Sequence, residues 1–230
     1  RIQTEESAAW TDEFLSQRAA LSSEAHRIHA ERDDRIRRTF GEAARKLSLV
    51  QGDAKVTRDI YPVFDAQLPD DAGQRICVWV RDGWSGDENS VRADARQAGN
   101  QSPTVFVFIP KRSADDLRHH LIDYKAASAT LDKRGVPNTP EGTEARAAME
   151  TTKQTAEGKI RELLNEAFSG ARVFQGGGNE ILGNDLQEMI LEAANNALQR
   201  LYPHFHTADH AGWPKVYEKA QKGAPDALKA

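Results

Sequence analysis

Cysteine is almost absent from this chain of 230 residues, in which Cys77 is the single occurrence. One cysteine permits neither a disulfide within the chain nor a zinc site built from cysteine thiolates. Cys77 lies inside the apolar run "RICVWV", a position typical of a buried thiol in a protein from a reducing compartment.

Long hydrophobic runs are also lacking. The longest apolar stretches have the length of a β-strand, and no charged, apolar and small-residue leader opens the chain. We therefore expect neither a membrane span nor a signal peptide. The predicted location is the cytoplasm, and no membrane partner is expected.

A strong charge of either sign is missing as well. The chain has 31 Lys and Arg residues against 35 Asp and Glu residues, which gives a net charge of -4. This balance excludes binding of nucleic acid or membranes through overall charge, so a polyanion site must be a local patch. The hydrophobic content of 39% is enough for one large domain or two small ones.

Two apolar runs predict the centre of a β-sheet. The stretches "ICVWV" and "VFVFI" are apolar on consecutive residues, which indicates strands that are buried on both faces. Residues 87–98 between them have a helical pattern, so the three segments predict a βαβ unit with parallel strands. The stretches "KVTRDIYPVF" and "ARVFQGGG" predict further strands.

Apolar residues at helical spacing predict the rest of the fold. They recur from Glu5 to about Ala30 and again over residues 36–47, and a strong amphipathic helix ends at Pro203. Over residues 113–168 apolar residues recur at coiled-coil spacing, and the loop "DKRGVPNTP" interrupts this pattern. The two segments predict an antiparallel helical hairpin. The predicted fold class is α/β: a small, mostly parallel sheet with flanking helices, a long N-terminal helical region and this hairpin. The predicted boundaries are 1–52 for the N-terminal region and 53–230 for an α/β domain, with the hairpin inserted at about 113–168.

The stretch "TVFVFIPKRSADD" has the strand-then-helix order with which nucleotide-binding folds hold phosphate. However, no G-x-x-x-x-G-K-[ST] motif occurs, and "FQGGGNEILGND" has glycines but no lysine. Ser113 and Asp116 form an S-x-x-D pattern that predicts a capping box over the free amides of the helix. Asp82, after the first strand, is interpreted as a turn former rather than a magnesium ligand. We therefore predict that the chain has this strand-then-helix architecture but binds no nucleotide or other cofactor. No catalytic residues are predicted.

An alternative hypothesis is that a local basic patch contacts nucleic acid. Lys111 and Arg112 follow the second strand, and Arg35 and Arg38 belong to an arginine-rich helix. Together they are the candidate residues for contact with a nucleic-acid backbone. Because acidic residues alternate with these arginines at spacings that suit pairs within a helix, a salt-bridged, solvated helix is the favoured interpretation.

Three histidines form the only metal candidate that the pattern offers. His204, His206 and His210 lie close together in "PHFHTADH", and imidazoles beside a carboxylate have the chemistry of zinc ligands. The spacing matches no known metal motif, so we favour a loop that ends a helix, and no bound metal is predicted.

A continuous stretch adds a resemblance to a known family. Residues 78–160, from "VWVRDGWSGDENSV" to "TTKQTAEGKI", resemble an internal segment of the BrxC (PglY-like) family, the large P-loop ATPases of BREX bacteriophage-defence systems. The resemblance extends through most of the chain. It implies a parent protein of the AAA type that uses ATP and magnesium and acts with other BREX components, including a DNA methyltransferase, to mark host DNA and block phage replication. The Walker A motif is not present here, so no ATP-binding residue is assigned to any position.

The leading hypothesis is a noncatalytic accessory segment that mediates assembly or partner docking through the hairpin, with other BREX components or a second copy as partners. The alternatives are a module that contacts DNA through the basic patch and a metal site at the three histidines.

Overall fold

The computed structural model describes residues 5–53, 55–205 and 218. This part of the chain contains six α-helices: α1 (Glu5–Ser23), α2 (Ala25–Arg45), α3 (Glu88–Ala98), α4 (Ala114–Arg134), α5 (Pro140–Ser169) and α6 (Leu186–Leu201). It also contains seven strands: β1 (Leu49–Gln51), β2 (Val56–Arg58), β3 (Tyr61–Val63), β4 (Cys77–Asp82), β5 (Val105–Ile109), β6 (Arg172–Gln175) and β7 (Glu180–Ile181). Within the described residues, no helix combines the length and the apolar composition that crossing a bilayer requires.

The chain divides into two compact units. The helical unit consists of Arg1–Thr39 and Lys111–Phe168, and the sheet unit consists of Phe40–Pro110 and Ser169–Ala230. The predicted boundary at residue 52 instead separated the N-terminal helices from the hairpin. The structure groups them because α1 buries apolar side chains against α4 and α5.

The helical unit has an apolar core between α1 and the α4–α5 hairpin. Trp10 of α1 packs against Ala127 and Leu131 of α4 and against Ala145 and Met149 of α5. Trp10 is 2% exposed, so burying this large side chain provides much of the hydrophobic stabilisation of the cluster. The predicted antiparallel hairpin is confirmed, with Gly135 at φ 65° directly after α4.

The sheet unit contains the predicted βαβ unit. Strands β4 and β5 pair in parallel, with Val78 opposite Val105 and Asp82 opposite Ile109, and α3 is the connection between them. All five residues of β5 are buried, as the continuous apolar run predicted. The α/β class with a small sheet and flanking helices is therefore confirmed.

The five-stranded sheet is mixed rather than mostly parallel. Its order is β3-β4-β5-β6-β7; the β3–β4 and β4–β5 pairs are parallel, and the β5–β6 and β6–β7 pairs are antiparallel. An apolar run indicates burial but does not encode strand direction. The direction of β6 follows from the long hairpin that precedes it and returns the chain.

The predicted strand "KVTRDIYPVF" is two short strands in two different sheets. Strand β2 pairs antiparallel with β1, whereas β3 lies at the edge of the five-stranded sheet. The helical pattern predicted up to residue 47 ends at Arg45, and Leu49 starts β1. A strand of three residues is stabilised by its pairing rather than by a pattern of its own.

The predicted buried thiol is confirmed. Cys77 is a free cysteine with no exposed surface at the start of β4. Its burial raises the pKa of the thiol, because a charged thiolate is disfavoured away from water. Cys77 therefore belongs to the core and has the properties of an unreactive thiol.

Candidate functional site

The first four amides of the loop after β4 are not available to a phosphate. Its four consecutive backbone amides all donate within the protein: Gly83 N to Ile109 O at 2.9 Å, Trp84 N and Ser85 N to Asp82 Oδ1 at 2.9 and 3.0 Å, and Gly86 N to Asp82 O at 3.0 Å. A phosphate-binding loop requires such amides to point at the ligand. The interpretation of Asp82 as a turn former is confirmed.

The start of α3 carries its own negative charge. The side chain of Asp87 caps the helix and accepts hydrogen bonds from Ser90 N and Ser90 Oγ, both at 2.9 Å. These bonds lower the pKa of the Asp87 carboxyl, because they favour its charged form. An anion at this helix terminus would meet a carboxylate instead of free amides.

The start of α4 differs from the prediction. Ser113 precedes the helix, but its side chain makes no capping hydrogen bond. The backbone of Ser113 is left-handed, with φ 45° and ψ 43°, whereas a capping side chain normally reaches the helix amides from an extended backbone. The predicted capping box of Ser113 and Asp116 is therefore wrong.

Lys111 and Arg112 remain candidates for contact with an anion. Both are exposed directly after β5, and neither forms an ion pair or a side-chain hydrogen bond with another residue in the described part of the chain. Asp115 and Asp116 occupy the first turn of the helix that follows. The local charge is therefore mixed, with the two cations before two carboxylates.

Arg35 is held inside the helical unit and is not available to a phosphate backbone. Its Nε donates to Glu31 Oε1 at 2.7 Å and its Nη1 to Glu157 Oε1 at 2.9 Å. The guanidinium carbon lies 4.4 Å from the ring centroid of Tyr124, and the side chain is 11% exposed. Burial disfavours the charge of Arg35, but the bonds to Glu157 and Glu31 outweigh this effect and raise its pKa. Arg35 is therefore less accessible than the other residues of the predicted basic patch.

The network around Arg35 links three helices. Glu31 of α2 also accepts from Lys125 Nζ of α4 at 3.0 Å, while Glu157 belongs to α5. Arg38, one turn further along α2, is 60% exposed and pairs with Asp34. An exposed pair of this kind exchanges readily with water and ligands, so Arg38 stays in the candidate patch.

The predicted histidine cluster lies mainly outside the described residues. His206 and His210 lie outside the described residues, whereas His204 lies within them and is exposed after α6. Among the residues that are described, no group of three His, Cys, Asp or Glu side chains is placed to hold a metal ion.

The glycine run after β6 packs against the end of α3. Gly177 has φ +91° and donates its amide to Ala95 O at 2.8 Å, and Gly178 has φ +86° and donates to Gln175 O at 2.9 Å. A Cβ atom on Gly177 would displace the side-chain oxygen of Asn100, and the φ of Gly177 is one that residues with a side chain rarely adopt, so glycine is favoured here. The glycines are used for packing, and these two amides are not free for a ligand.

The tip of the α4–α5 hairpin is an ordered loop with an exposed apolar side chain. Arg146 Nη1 donates to Gly135 O at 2.6 Å, and Thr139 Oγ1 accepts from Gly142 N at 3.1 Å, as an N-cap does. Val136, between these anchors, is 81% exposed. Because the loop is already fixed, it would lose little conformational freedom if a partner bound the exposed side chain.

The sheet unit also contains a small cleft that the sequence pattern did not reveal. It has a volume of about 210 Å³ and is lined by Thr57, Arg58, Asp59, Tyr61, Gln74, Arg75, Ile76, Leu198, Leu201 and Tyr202. We call it the arginine cleft. The guanidinium carbon of Arg58 lies 4.1 Å from the ring centroid of Tyr202, and that of Arg75 lies 4.8 Å from the ring centroid of Tyr61. Arg58 and Tyr202 are too far apart in the sequence for any local motif to indicate this stack.

Comparisons with protein-family models, with curated proteins and with solved structures find no match for this chain.

Proposed function

We propose that this chain is a noncatalytic accessory segment that docks a protein partner through the outer surface of its helical hairpin, residues 113–168. The observation that carries the proposal is the ordered hairpin tip with Val136 exposed. In the BREX-type ATPase that the sequence resembles, the partner is another component of the defence system or a second copy of the chain. ATP and magnesium belong to the motor part of such a protein.

The internal use of the candidate chemical groups supports a noncatalytic role. The amides after β4 and Asp82 form a closed turn, and the amides of Gly177 and Gly178 bond to protein carbonyls. Arg35 and Glu157 form an internal ion pair. What remains exposed on the hairpin is a polar helix surface with an apolar tip, which suits a contact that is partly buried on binding.

The test is a pair of aspartate substitutions at exposed apolar residues. Val136→Asp changes the hairpin tip, and Leu182→Asp changes a residue of the sheet unit that is 80% exposed. Both are expected to leave the thermal unfolding midpoint unchanged. In cells that carry the full defence system, Val136→Asp should restore phage plating and reduce co-purification of the partner, whereas Leu182→Asp should not.

Unchanged phage defence with Val136→Asp and with charge reversals along the exposed face of α5 would overturn this proposal. A loss of defence with Leu182→Asp as well would show that the effect is not specific to the hairpin.

A second candidate function is contact with DNA through Lys111, Arg112 and Arg38. The observation that favours it is the exposure of Lys111 and Arg112 without a described ion-pair partner. Cations of this kind bind phosphates with a strong dependence on salt.

Duplex DNA binding at two salt concentrations tests this second function. Lys111→Ala with Arg112→Ala should weaken binding and lower the salt slope by about 2, since each lost phosphate contact lowers it by about 1. The matched control is Lys159→Ala with Arg161→Ala, which removes the same charge from α5. Equal weakening by both double variants, or no binding at low salt, would reject the patch.

The metal alternative has a separate test. It predicts bound zinc that is lost when His204 and His206 are replaced by alanine, and elemental analysis of the purified protein measures it. Metal-free protein with no affinity for added zinc would reject it.

A further inference from the structure

The arginine cleft contains one guanidinium, that of Arg58, that forms no ion pair within the part of the chain that the structure describes. Arg75 pairs with Asp71. Arg58 donates its Nε to Gln51 Oε1 at 3.0 Å, and it forms no ion pair with any described residue. Among the described residues, Gln51 occupies only the Nε group, so the terminal nitrogens of Arg58 are the donors that a ligand would use.

Aromatic stacking holds this guanidinium in place. Tyr202 lies under the Arg58 group at 4.1 Å, and Phe205 lies 5.8 Å from it. A flat guanidinium that is fixed on a ring loses little conformational freedom when it binds a second group. The edge of the guanidinium, rather than its stacked face, is the part that presents the hydrogen-bond donors.

The size and the charge of the cleft limit what it can bind. At about 210 Å³ it is smaller than the roughly 300–1,000 Å³ of pockets that enclose a whole drug-sized ligand or cofactor. Asp59 lines the cleft and Asp71 pairs with one of its arginines. These two carboxylates repel a phosphate dianion more strongly than they repel a singly charged group.

We infer that the arginine cleft binds the carboxylate of an acidic side chain on a protein partner, with Arg58 as the main donor. A guanidinium and a carboxylate match in shape and form two parallel hydrogen bonds. The site lies in the sheet unit, so it is a contact in addition to the hairpin surface, and it does not depend on the proposed function of that surface.

The experiment uses two small peptides that differ only in charge. Acetyl-Ala-Glu-Ala amide and acetyl-Ala-Gln-Ala amide are titrated into the ¹⁵N-labelled full chain while the Arg58 Nε–H resonance is followed by NMR. The glutamate peptide should shift this resonance in a saturable manner. The glutamine peptide should bind at least about tenfold more weakly, because a charge-assisted bond is replaced by a neutral one.

Three variants separate charge, geometry and folding. Arg58→Gln should abolish the saturable shift of the backbone resonances around the cleft. Arg58→Lys keeps the charge but loses the two parallel N–H donors of the guanidinium, so it should weaken peptide binding to an intermediate degree. The matched control Arg172→Gln removes a guanidinium from β6, which does not line the cleft, and should leave binding unchanged. The comparison of the two peptides on the unaltered protein needs no variant to fold.

Three outcomes would overturn the inference. The first is equal binding of the two peptides, and the second is full binding by a folded Arg58→Gln protein. The third is tighter saturation of the same resonances by inorganic phosphate than by the glutamate peptide, which would make the cleft a phosphate site.

Discussion

Both units of this chain have an apolar core, and each also provides a clear example of one kind of stabilising interaction. In the helical unit, charged side chains lie between helices, and Arg35, Glu31 and Lys125 form a network that links α2 to α4 and α5. In the sheet unit, the central strand β5 is apolar at every position and fully buried. A polar network fixes which helix faces meet, whereas the apolar strand provides stability through the surface that it removes from water.

The two units also use arginine differently. The guanidinium of Arg35 stacks on the ring of Tyr124 and donates to the carboxylates of Glu31 and Glu157. Its donors are therefore satisfied inside the unit. Arg58 has the ring of Tyr202 but no described carboxylate partner. The difference shows that a stacked arginine becomes a candidate for ligand binding only where its edge is left open.

The largest expected effect tests the apolar half of this comparison. Phe106, the second residue of β5, is 1% exposed and packs with Trp79, Phe108 and Phe174. Phe106→Ala should lower the free energy of unfolding by about 3–5 kcal/mol, because it removes a large buried ring and leaves a cavity. Urea unfolding followed by circular dichroism measures it. The control Leu182→Ala, at an exposed position, should change it little, and a loss below about 1 kcal/mol for Phe106→Ala would contradict the central role of β5.

The next effect tests the glycine turn of the sheet unit. Gly177→Ala places a Cβ atom at φ +91° and against Asn100, so it should lower the free energy of unfolding by about 2–3 kcal/mol. Thermal unfolding measures the change. Gly73→Ala is the matched control, since Gly73 has open space around the added atom. Equal stability of the two variants would mean that the turn tolerates a side chain.

The third effect tests the polar network around Arg35 in the helical unit. Arg35→Gln leaves Glu157 without its partner, and should lower the free energy of unfolding by about 2 kcal/mol, in the range for a hydrogen bond to a charged group. The control is Arg38→Gln, which removes an exposed pair on the same helix and should leave the urea midpoint unchanged. If both variants lower the midpoint equally, the helical unit responds to net charge on α2 and not to the network.

The sequence contains enough information for elements with a strong pattern of their own. The boundaries of β4, α3, β5 and the hairpin follow from continuous apolar runs, from Asp87 as a cap and from Gly135 as a stop. Strand β1 was missed, because its three residues are defined by pairing with β2.

The candidate site was predictable only in part. The turn at Asp82 is local and was predicted, whereas the role of Arg35 depends on Glu157, which lies 122 residues away. The stack of Arg58 on Tyr202 likewise joins β2 to the residue after α6. The residue type shows that an arginine can bind a carboxylate, but only the fold shows whether that carboxylate belongs to the same chain.

The smallest effect concerns the pH dependence of the helical network. Burial raises the pKa of the Glu31 carboxyl, but hydrogen bonds from Arg35 and Lys125 outweigh it, so the net shift is downward from the ordinary value of 4.5. A carboxyl with a lowered pKa in the folded state stabilises the protein above its unfolded pKa, and this contribution is lost as the pH falls through the folded value.

Glu31→Gln should therefore be less stable than the unaltered protein at neutral pH, by about 1 kcal/mol. The difference between the two proteins should shrink as the pH is lowered from 4.5 toward about 3, because Glu31 then becomes protonated in the unaltered protein as well. Urea midpoints at each pH measure it, with the exposed Glu162→Gln as the control. A difference that stays constant over this range would mean that Glu31 stabilises the unit by packing rather than by charge, and the contrast between the polar network and the apolar strand β5 would then be weaker than the geometry indicates.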